Sequence, residues 1–374
     1  MRKRLSIIIV IMGLLHVYIA YQLLHEFSPA IFLFGSILVF VSWIIIPLGT
    51  TARFFIKKQW LADIITWVGM LDMGFFSSLL ILTLMRQIIL FIYSFFYAVT
   101  VEIYQISAIL GLIVALVVTL IGFINARKLP RVNEVEISIP NLPAALNGFR
   151  IAQISDIHVG PTIKYKYLKS IVDLVNTLNV ELVAITGDLV DGSVEQLSRH
   201  TMALSDLKSQ YGSFFVLGNH EYYSGANEWT NEIRRLGIDV LLNQHRVILH
   251  NGANLVIAGV TDFTGEHFGV EHTSNPEQAI HGAPDTAIKI LLAHQPRSAI
   301  LATQYGYSLQ LSGHTHGGQF WPWNLFVRLQ QPFTSGLHKV GDMWLYINRG
   351  TGYWGPPKRF GVPSEITLLK LVSK

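Results

Sequence analysis

The sequence predicts an N-terminal all-α transmembrane bundle joined to a C-terminal α/β domain. Long, nearly uncharged apolar runs crowd the first third of the chain. Short apolar runs alternating with amphipathic helical patterns fill the rest, and Asp, Asn and His residues gather at the ends of those runs. The averages conceal this division. Of 374 residues, 51% are hydrophobic and 14% charged, against about 25% charged in an ordinary soluble domain. The mean hydropathy of +0.42 excludes a disordered chain. The 30 Gly and 14 Pro are ordinary counts and exclude a collagen-like one. With no Cys, a disulfide scaffold, a thiolate metal site and a thiol nucleophile are excluded. The net charge of +4 is too small to indicate nucleic-acid binding, and no nucleic-acid partner is expected.

Residues 1–126 form the transmembrane region. Leu5–Leu24, Ala30–Gly49, Ile64–Met85 and Ile106–Ala126 each hold about the 20 residues a helix needs to cross ~30 Å of hydrocarbon. The shorter run Ile88–Val101 reads better as an interfacial or re-entrant piece than as a fifth short span, which would place the rest of the chain outside. Met1-Arg2-Lys3-Arg4 resembles the start of a secretory signal, but the apolar stretch after it is long and lacks a small-residue cleavage site. A retained helix is therefore expected. Orientation follows the basic residues. Arg2, Lys3 and Arg4 precede the first span, Arg53, Lys57 and Lys58 follow the second, and Arg127, Lys128 and Arg131 follow the fourth. The 86–105 connection carries Arg86 alone. Four spans with a cytoplasmic N-terminus satisfy this distribution and place the rest of the chain in the cytoplasm. Asp72 in the third span is costly in hydrocarbon; a carboxyl bonded to a neighbouring helix, or protonated, is favoured over a functional charge. His16 in the first span reads as packed or interfacial.

Residues 127–148 read as a linker in which Val135–Ile139 alternates like a strand before Pro140 and Pro143. The domain proper runs over 149–374. Apolar runs at Phe149–Ser155, Leu182–Gly187, Ser213–Gly218, Leu255–Val260, Ile288–Ala293, Leu309–Gly313, Trp344–Ile347 and Ile366–Leu371 end in polar or Gly-rich turns and read as buried strands. Tyr167–Leu178 places Leu168, Ile171, Val172, Val175 and Leu178 on one helical face; Glu195–Lys208 and Glu228–Leu236 are shorter helices.

The chemistry sits at the C-terminal ends of the strands, where open α/β sheets place their sites. Asp156-Ile-His158, Gly187-Asp188, Gly218-Asn219-His220-Glu221, His294 and Gly313-His314-Thr315-His316-Gly317-Gly318 each follow an apolar run. Asp-x-His, Gly-Asp or a lone His is an ordinary turn by itself. Gly-Asn-His-Glu and Gly-His-Thr-His-Gly-Gly are more specific, and all five in one order are not a chance arrangement. Carboxylate with imidazole suits divalent Mn, Fe, Zn or Ni, and the set is large enough for two ions. Two metals about 3.5–4 Å apart can hold a phosphate oxygen and lower the pKa of a shared water.

This series resembles the calcineurin-like metallophosphoesterase superfamily over about residues 149–371, with no departure at a ligand position. Gly313-His-Thr-His-Gly-Gly-Gln319 and Gly187-Asp-Leu-Val-Asp-Gly192 further resemble its bacterial membrane-associated branch. The resemblance implies a β-sandwich core flanked by helices and a phosphoester hydrolase, phosphodiesterase or phosphomonoesterase. It implies that Asp156, His158 and His316 bind one metal, that Asn219, His294 and His314 bind another, and that Asp188 bridges the two. His220 is implied to contact the phosphate and protonate the leaving group. It implies nothing about the N-terminal helices.

Other residues are open. Asp191 either orients ligands or lies in a solvated turn, and Glu221 is expected to support the site or be structural. Arg349 is a candidate to bind substrate phosphate. The Trp residues of Gln319–Trp323 and Trp354–Pro357 either form an apolar wall, enter the membrane interface, or simply pack. His200, His245, His250, His267, His272, His281 and His338 lack any supporting motif. The expected function is hydrolysis of a phosphoester or pyrophosphate by hydroxide attack at two metals, with a phosphorylated substrate, lipid-linked or soluble, and the bilayer as partners. The alternative is a membrane sensor or transporter whose soluble domain only binds a phosphorylated ligand.

Overall fold

The computed structural model describes residues 2–374, with side chains from Ile7 onward. The orienting charges of Arg2, Lys3 and Arg4 lie outside the described side chains. The chain divides into two compact units, Met1–Arg127 with Gly355–Phe360, and Lys128–Trp354 with Gly361–Lys374.

The first unit is built on α1 (Arg2–Leu24), α2 (Pro29–Phe55), α3 (Gln59–Ser94) and α4 (Val101–Arg127). All four are long and apolar enough to cross a membrane. Ser28 caps α2 and Pro29 opens it, where a missing N–H costs nothing. Small residues let α2 and α3 approach closely: a Cβ on Gly49 would lie 2.7 Å from Gly69 Cα.

Here the structure departs from the expected layout. The helix α3 has 36 residues, about 54 Å of helix, and it absorbs the first part of the run Ile88–Val101, which is therefore not a separate piece. Arg86, expected as a connection charge, lies buried within α3 and ties three helices together. Its guanidinium donates to Ser107 Oγ at 2.8 Å, Gln22 O at 3.0 Å and Tyr104 O at 2.8 Å. Asp72 lies beside Ser42 of α2, and its Oδ2 is buried without a hydrogen-bond partner. His16 Nε2 meets the Ser42 hydroxyl at 3.2 Å while its ring stacks on Phe76 at 3.9 Å. His16 is thus packed and bonded to neighbouring helices. Residues Gly355–Phe360, expected in the soluble domain, pack in this unit instead. Lys358 Nζ donates to Gly74 O at 2.7 Å, Thr119 Oγ1 at 3.3 Å and Ser78 Oγ. Gly122 leaves room for its stem, since a Cβ there would lie 2.6 Å from Lys358 Cγ.

The second unit runs β1 (Arg131–Ile139), β2 (Arg150–Ile154), α5 (Tyr165–Thr177), β3 (Leu182–Ile185), α6 (Val194–Thr201), β4 (Ser213–Phe215), α7 (Asn219–Ser224), α8 (Ala226–Arg235), β5 (Asp239–Val240), β6 (Gln244–His250), β7 (Ala253–Gly259), β8 (Ile288–Leu292), β9 (Leu309–Ser312), β10 (Gly336–Val340), β11 (Met343–Ile347) and β12 (Glu365–Ser373). Two six-stranded sheets form, ordered β1-β12-β2-β3-β4-β5 and β10-β11-β9-β8-β7-β6. Ile151, Leu182, Ala184 and Phe214 of one sheet pack with Leu255, Ile257, Ile290 and Leu311 of the other. The expected β-sandwich flanked by helices is therefore the architecture. Outside the sandwich, α5 buries Leu168, Ile171, Val172 and Val175, its expected apolar face.

The linker expected at 127–148 is instead part of the sheet from Arg131. The strand β1 pairs in parallel with β12 from Arg131↔Glu365 to Ile139↔Ser373, and Ile137 and Ile139 enter the core. Strands β5, β6 and β10 were not anticipated. Along β6 only Ile248 is buried, so its pattern lacks a continuous apolar run. Strands β2, β3 and β4 run parallel, as do β8 and β9, so their C-terminal ends carry the motif turns to one place.

Candidate metal centre

Each ligand-bearing turn bends immediately after its strand. Asp156, His158, Asp188, His314 and His316 all have positive φ, at 53°, 56°, 52°, 72° and 50°. Each such non-glycine conformation costs about 1 kcal/mol or more. Hydrogen bonds between the turns hold them there. Asp156 N donates to Gly187 O at 3.0 Å and His158 N to Asp188 O at 3.1 Å. His314 N donates to Asp156 Oδ1 at 2.9 Å, and His220 N to Asp188 Oδ1 at 2.9 Å. Glu221 is the hub: its carboxylate accepts from Asp188 N, Leu189 N, Val190 N and Gly218 N at 2.9, 2.7, 3.2 and 2.7 Å. Two glycines permit the close approach. A Cβ on Gly218 would lie 2.2 Å from Asp188 Oδ1, and one on Gly313 2.1 Å from Asp156 Oδ2.

The donors converge as two groups, Asp156 with His158 and His316, and Asp188 with His294 and His314. His294 Nδ1 donates to Thr186 O at 2.7 Å, which leaves its Nε2 bare. That nitrogen faces Asp188 Oδ2 at 3.1 Å and His314 Nδ1 at 3.2 Å. His158 Nδ1 donates to Asp191 Oδ1 at 3.0 Å, so its Nε2 is also bare, and it faces His316 Nε2 at 3.0 Å. Asp156 Oδ1 lies 3.6 Å from His316 Nε2. Acceptor atoms buried face to face repel unless a cation lies among them. On the turn between Gly218 and His220, Asn219 Oδ1 is buried without a hydrogen-bond partner. Without such a cation, a proton takes its place. Burial opposes charge on His294, but Asp188 and Asp156 raise its pKa well above the usual imidazole value. Burial and the neighbouring His294 push His314 down to about 3. These side chains fit a divalent-metal centre.

Asp191 joins the two halves of the site. Its Oδ1 accepts from His158 Nδ1 and, at 2.6 Å, from His220 Nδ1. Burial favours its neutral form, yet the two imidazoles hold the carboxyl well below its usual range. Burial likewise opposes charge on His220, but Asp188 and Asp191 push it up to about 9. The solvated-turn reading of Asp191 is thereby removed.

Around His220 the rings of Tyr223 and Trp354 stand edge-on at 5.5 and 5.8 Å, and Phe268 lies 5.9 Å from Tyr223. All three are exposed, forming an apolar wall. Gln319 fixes Trp354 by two bonds of 2.9 Å, one to its N–H and one from its own amide to the Trp354 carbonyl. Sequence reasoning treated Gln319 only as a motif marker. Arg349 lies against the His314–Gly318 turn, since a Cβ on Gly317 would come 3.3 Å from Arg349 Cγ. Its Nη1 reaches Glu365 Oε2 at 3.4 Å. Among the described residues, no candidate metal group includes His200, His245, His250, His267, His272, His281 or His338.

The calcineurin-like phosphoesterase family model matches residues 149–318. A transmembrane protein with metallophosphoesterase domain from Danio rerio is 38% identical, covering 71% of this chain and 62% of that protein. A Bos taurus protein of the same description is 37% identical over 70% and 62%. An uncharacterized metallophosphoesterase of Campylobacter jejuni is 33% identical over 98% of both chains. The chain thus spans less than two thirds of the vertebrate relatives and nearly all of the bacterial one.

Proposed function

The chain belongs to the calcineurin-like metallophosphoesterase family, and from that premise we propose that it is a membrane-anchored, metal-dependent hydrolase of a phosphoester or pyrophosphate bond. The observation that carries the reading is the convergence of bare imidazole nitrogens and carboxylate oxygens, with Asn219 Oδ1 buried and unpartnered on the turn whose His220 N–H bonds Asp188. Asp156, His158 and His316 would hold one divalent ion, Asn219, His294 and His314 the other, and Asp188 both. Such ions, drawn from Mn, Fe, Zn or Ni, would polarise the phosphoryl group and lower the pKa of a water.

The chain's own groups do the rest. His220, aimed by Asp191, donates its Nε2 proton to the departing oxygen. Arg349 adds positive charge for the phosphate. Tyr223, Phe268 and Trp354 offer an apolar surface to the substrate beyond its phosphate, which favours a phospholipid, a lipid-linked pyrophosphate or a cell-envelope precursor. The Lys and Arg residues at 53, 57, 58, 127, 128 and 131 support a cytoplasmic catalytic unit. Asp188→Asn or His314→Ala in the full chain should abolish hydrolysis of an aryl phosphate and reduce bound metal, with the folded state intact. Undiminished turnover in either variant would refute the assignment.

A further inference from the structure

We propose that residues 319–334 form a bilayer-docking loop whose apolar tip enters the lipid interface beside the metal centre. The chain leaves the His314–Gly318 turn at Gln319 and returns at Thr334, whose carbonyl accepts a bond from Thr315 Oγ1, between His314 and His316. The loop is fastened along its length. Asn324 packs on Gly318, where a Cβ would come 2.2 Å from Asn324 Cα. Arg297 Nη2 donates to Gln330 O at 2.8 Å, and its Nε to Gln331 Oε1 at 3.4 Å. The tip therefore holds a fixed place relative to His314 and His316.

That tip is apolar and uncovered. Phe320 is buried, but Trp321, Trp323, Leu325, Phe326 and Leu329 are exposed by 37, 41, 59, 49 and 85%. Plain packing accounts for Phe320 and not for the other five. Large apolar side chains clustered in the open mark an interaction surface, and three features select a bilayer as its occupant. Trp with Leu and Phe beside Arg328 is the composition of interfacial anchors. Residues 286–341 contain no Asp or Glu, so no carboxylate of this stretch repels anionic headgroups, and Arg328 on the loop adds a positive charge. The chain also passes from the end of α4 at Arg127 to the start of β1 at Arg131, a reach of at most about 14 Å. Only residues 128–130 therefore separate the last apolar helix from the first strand of the second unit. The docking stands or falls independently of the hydrolytic reading.

The cysteine-free chain allows single labelling sites. Leu325→Cys and Leu329→Cys, each carrying an environment-sensitive nitrobenzoxadiazole label, are placed in vesicles of phosphatidylcholine and phosphatidylglycerol as the full chain. Leu249→Cys, an exposed position on β6, is the control. With the tip buried ~5–10 Å into the interface, emission at 325 and 329 should shift to the blue and fall about twofold or more when brominated acyl chains are used, with 249 unchanged. Water-like emission at both tip sites would overturn the proposal. So would blue emission that bromolipid leaves unquenched, because a protein partner or second copy would then cover the tip.

Discussion

Replacing Asp191 by Ala tests whether one carboxylate organises both metal binding and proton transfer. Asp191 Oδ1 accepts from His158 at 3.0 Å and from His220 at 2.6 Å. Bonds to charged groups are worth about 1.5–3 kcal/mol each. On the His158 side, losing the acceptor frees the ring and its tautomer, which typically costs 10–100-fold in metal affinity or activity. On the His220 side, removing a negative neighbour lowers a pKa now pushed up to about 9 and releases the ring from its aim. A positioned general acid contributes about 10²–10⁴-fold. We therefore expect Asp191→Ala to lower kcat about 100-fold or more and to weaken metal binding about 10-fold or more. Asp191→Asn keeps one acceptor oxygen and should recover part of both losses. The assay is steady-state hydrolysis of phenyl phosphate by the full chain, paired with metal titration against a chromophoric chelator. Turnover and metal affinity both within about twofold of the parent would refute the reasoning, since Asp191 would then be idle in a site that depends on oriented ligands.

Proton donation by His220 gives a leaving-group signature. His220→Gln should retain its metals and lose about 10²–10⁴-fold in kcat for an alkyl phosphate, with a smaller loss for p-nitrophenyl phosphate, whose leaving oxygen needs little protonation; equal losses would count against a general acid. Glu221→Gln would turn an amide NH₂ toward backbone N–H groups that now bond to a carboxylate oxygen. The cost should be about 2–4 kcal/mol and lower the thermal midpoint of the full chain by several degrees; an unchanged midpoint would remove Glu221 as the structural hub.

What could be read from the sequence shares one property: it is local. A span of about 20 apolar residues announces itself without reference to other parts of the chain. The same holds for β3 and β9, which are fully buried, and for β2, buried from Ile151 onward; all three read as apolar runs. The ligand turns were legible because a strand end delivers its next residues to the sheet edge wherever the sheet finally lies. Edge strands were less legible. The strand β10 is nowhere fully buried, so alternation alone could not separate it from a loop.

By itself, then, the sequence determined a membrane-spanning third, an α/β remainder, and Asp156, His158, Asp188, Asn219, His220, His294, His314 and His316 at strand ends. Tertiary structure alone decided how those residues are supported, because the supporting contacts join distant positions. Asp191 lies 33 residues from His158 and 29 from His220, and only the folded sheet reveals that it serves both. Gln319 and Trp354 are 35 residues apart. Lys358 reaches Gly74 across 284 residues, which places Gly355–Phe360 among the helices although its neighbours in sequence belong to the second unit. The physical reason is the same in each case. A hydrogen bond between remote residues leaves no periodicity in the chain, and its geometry exists only after the elements carrying its ends have packed.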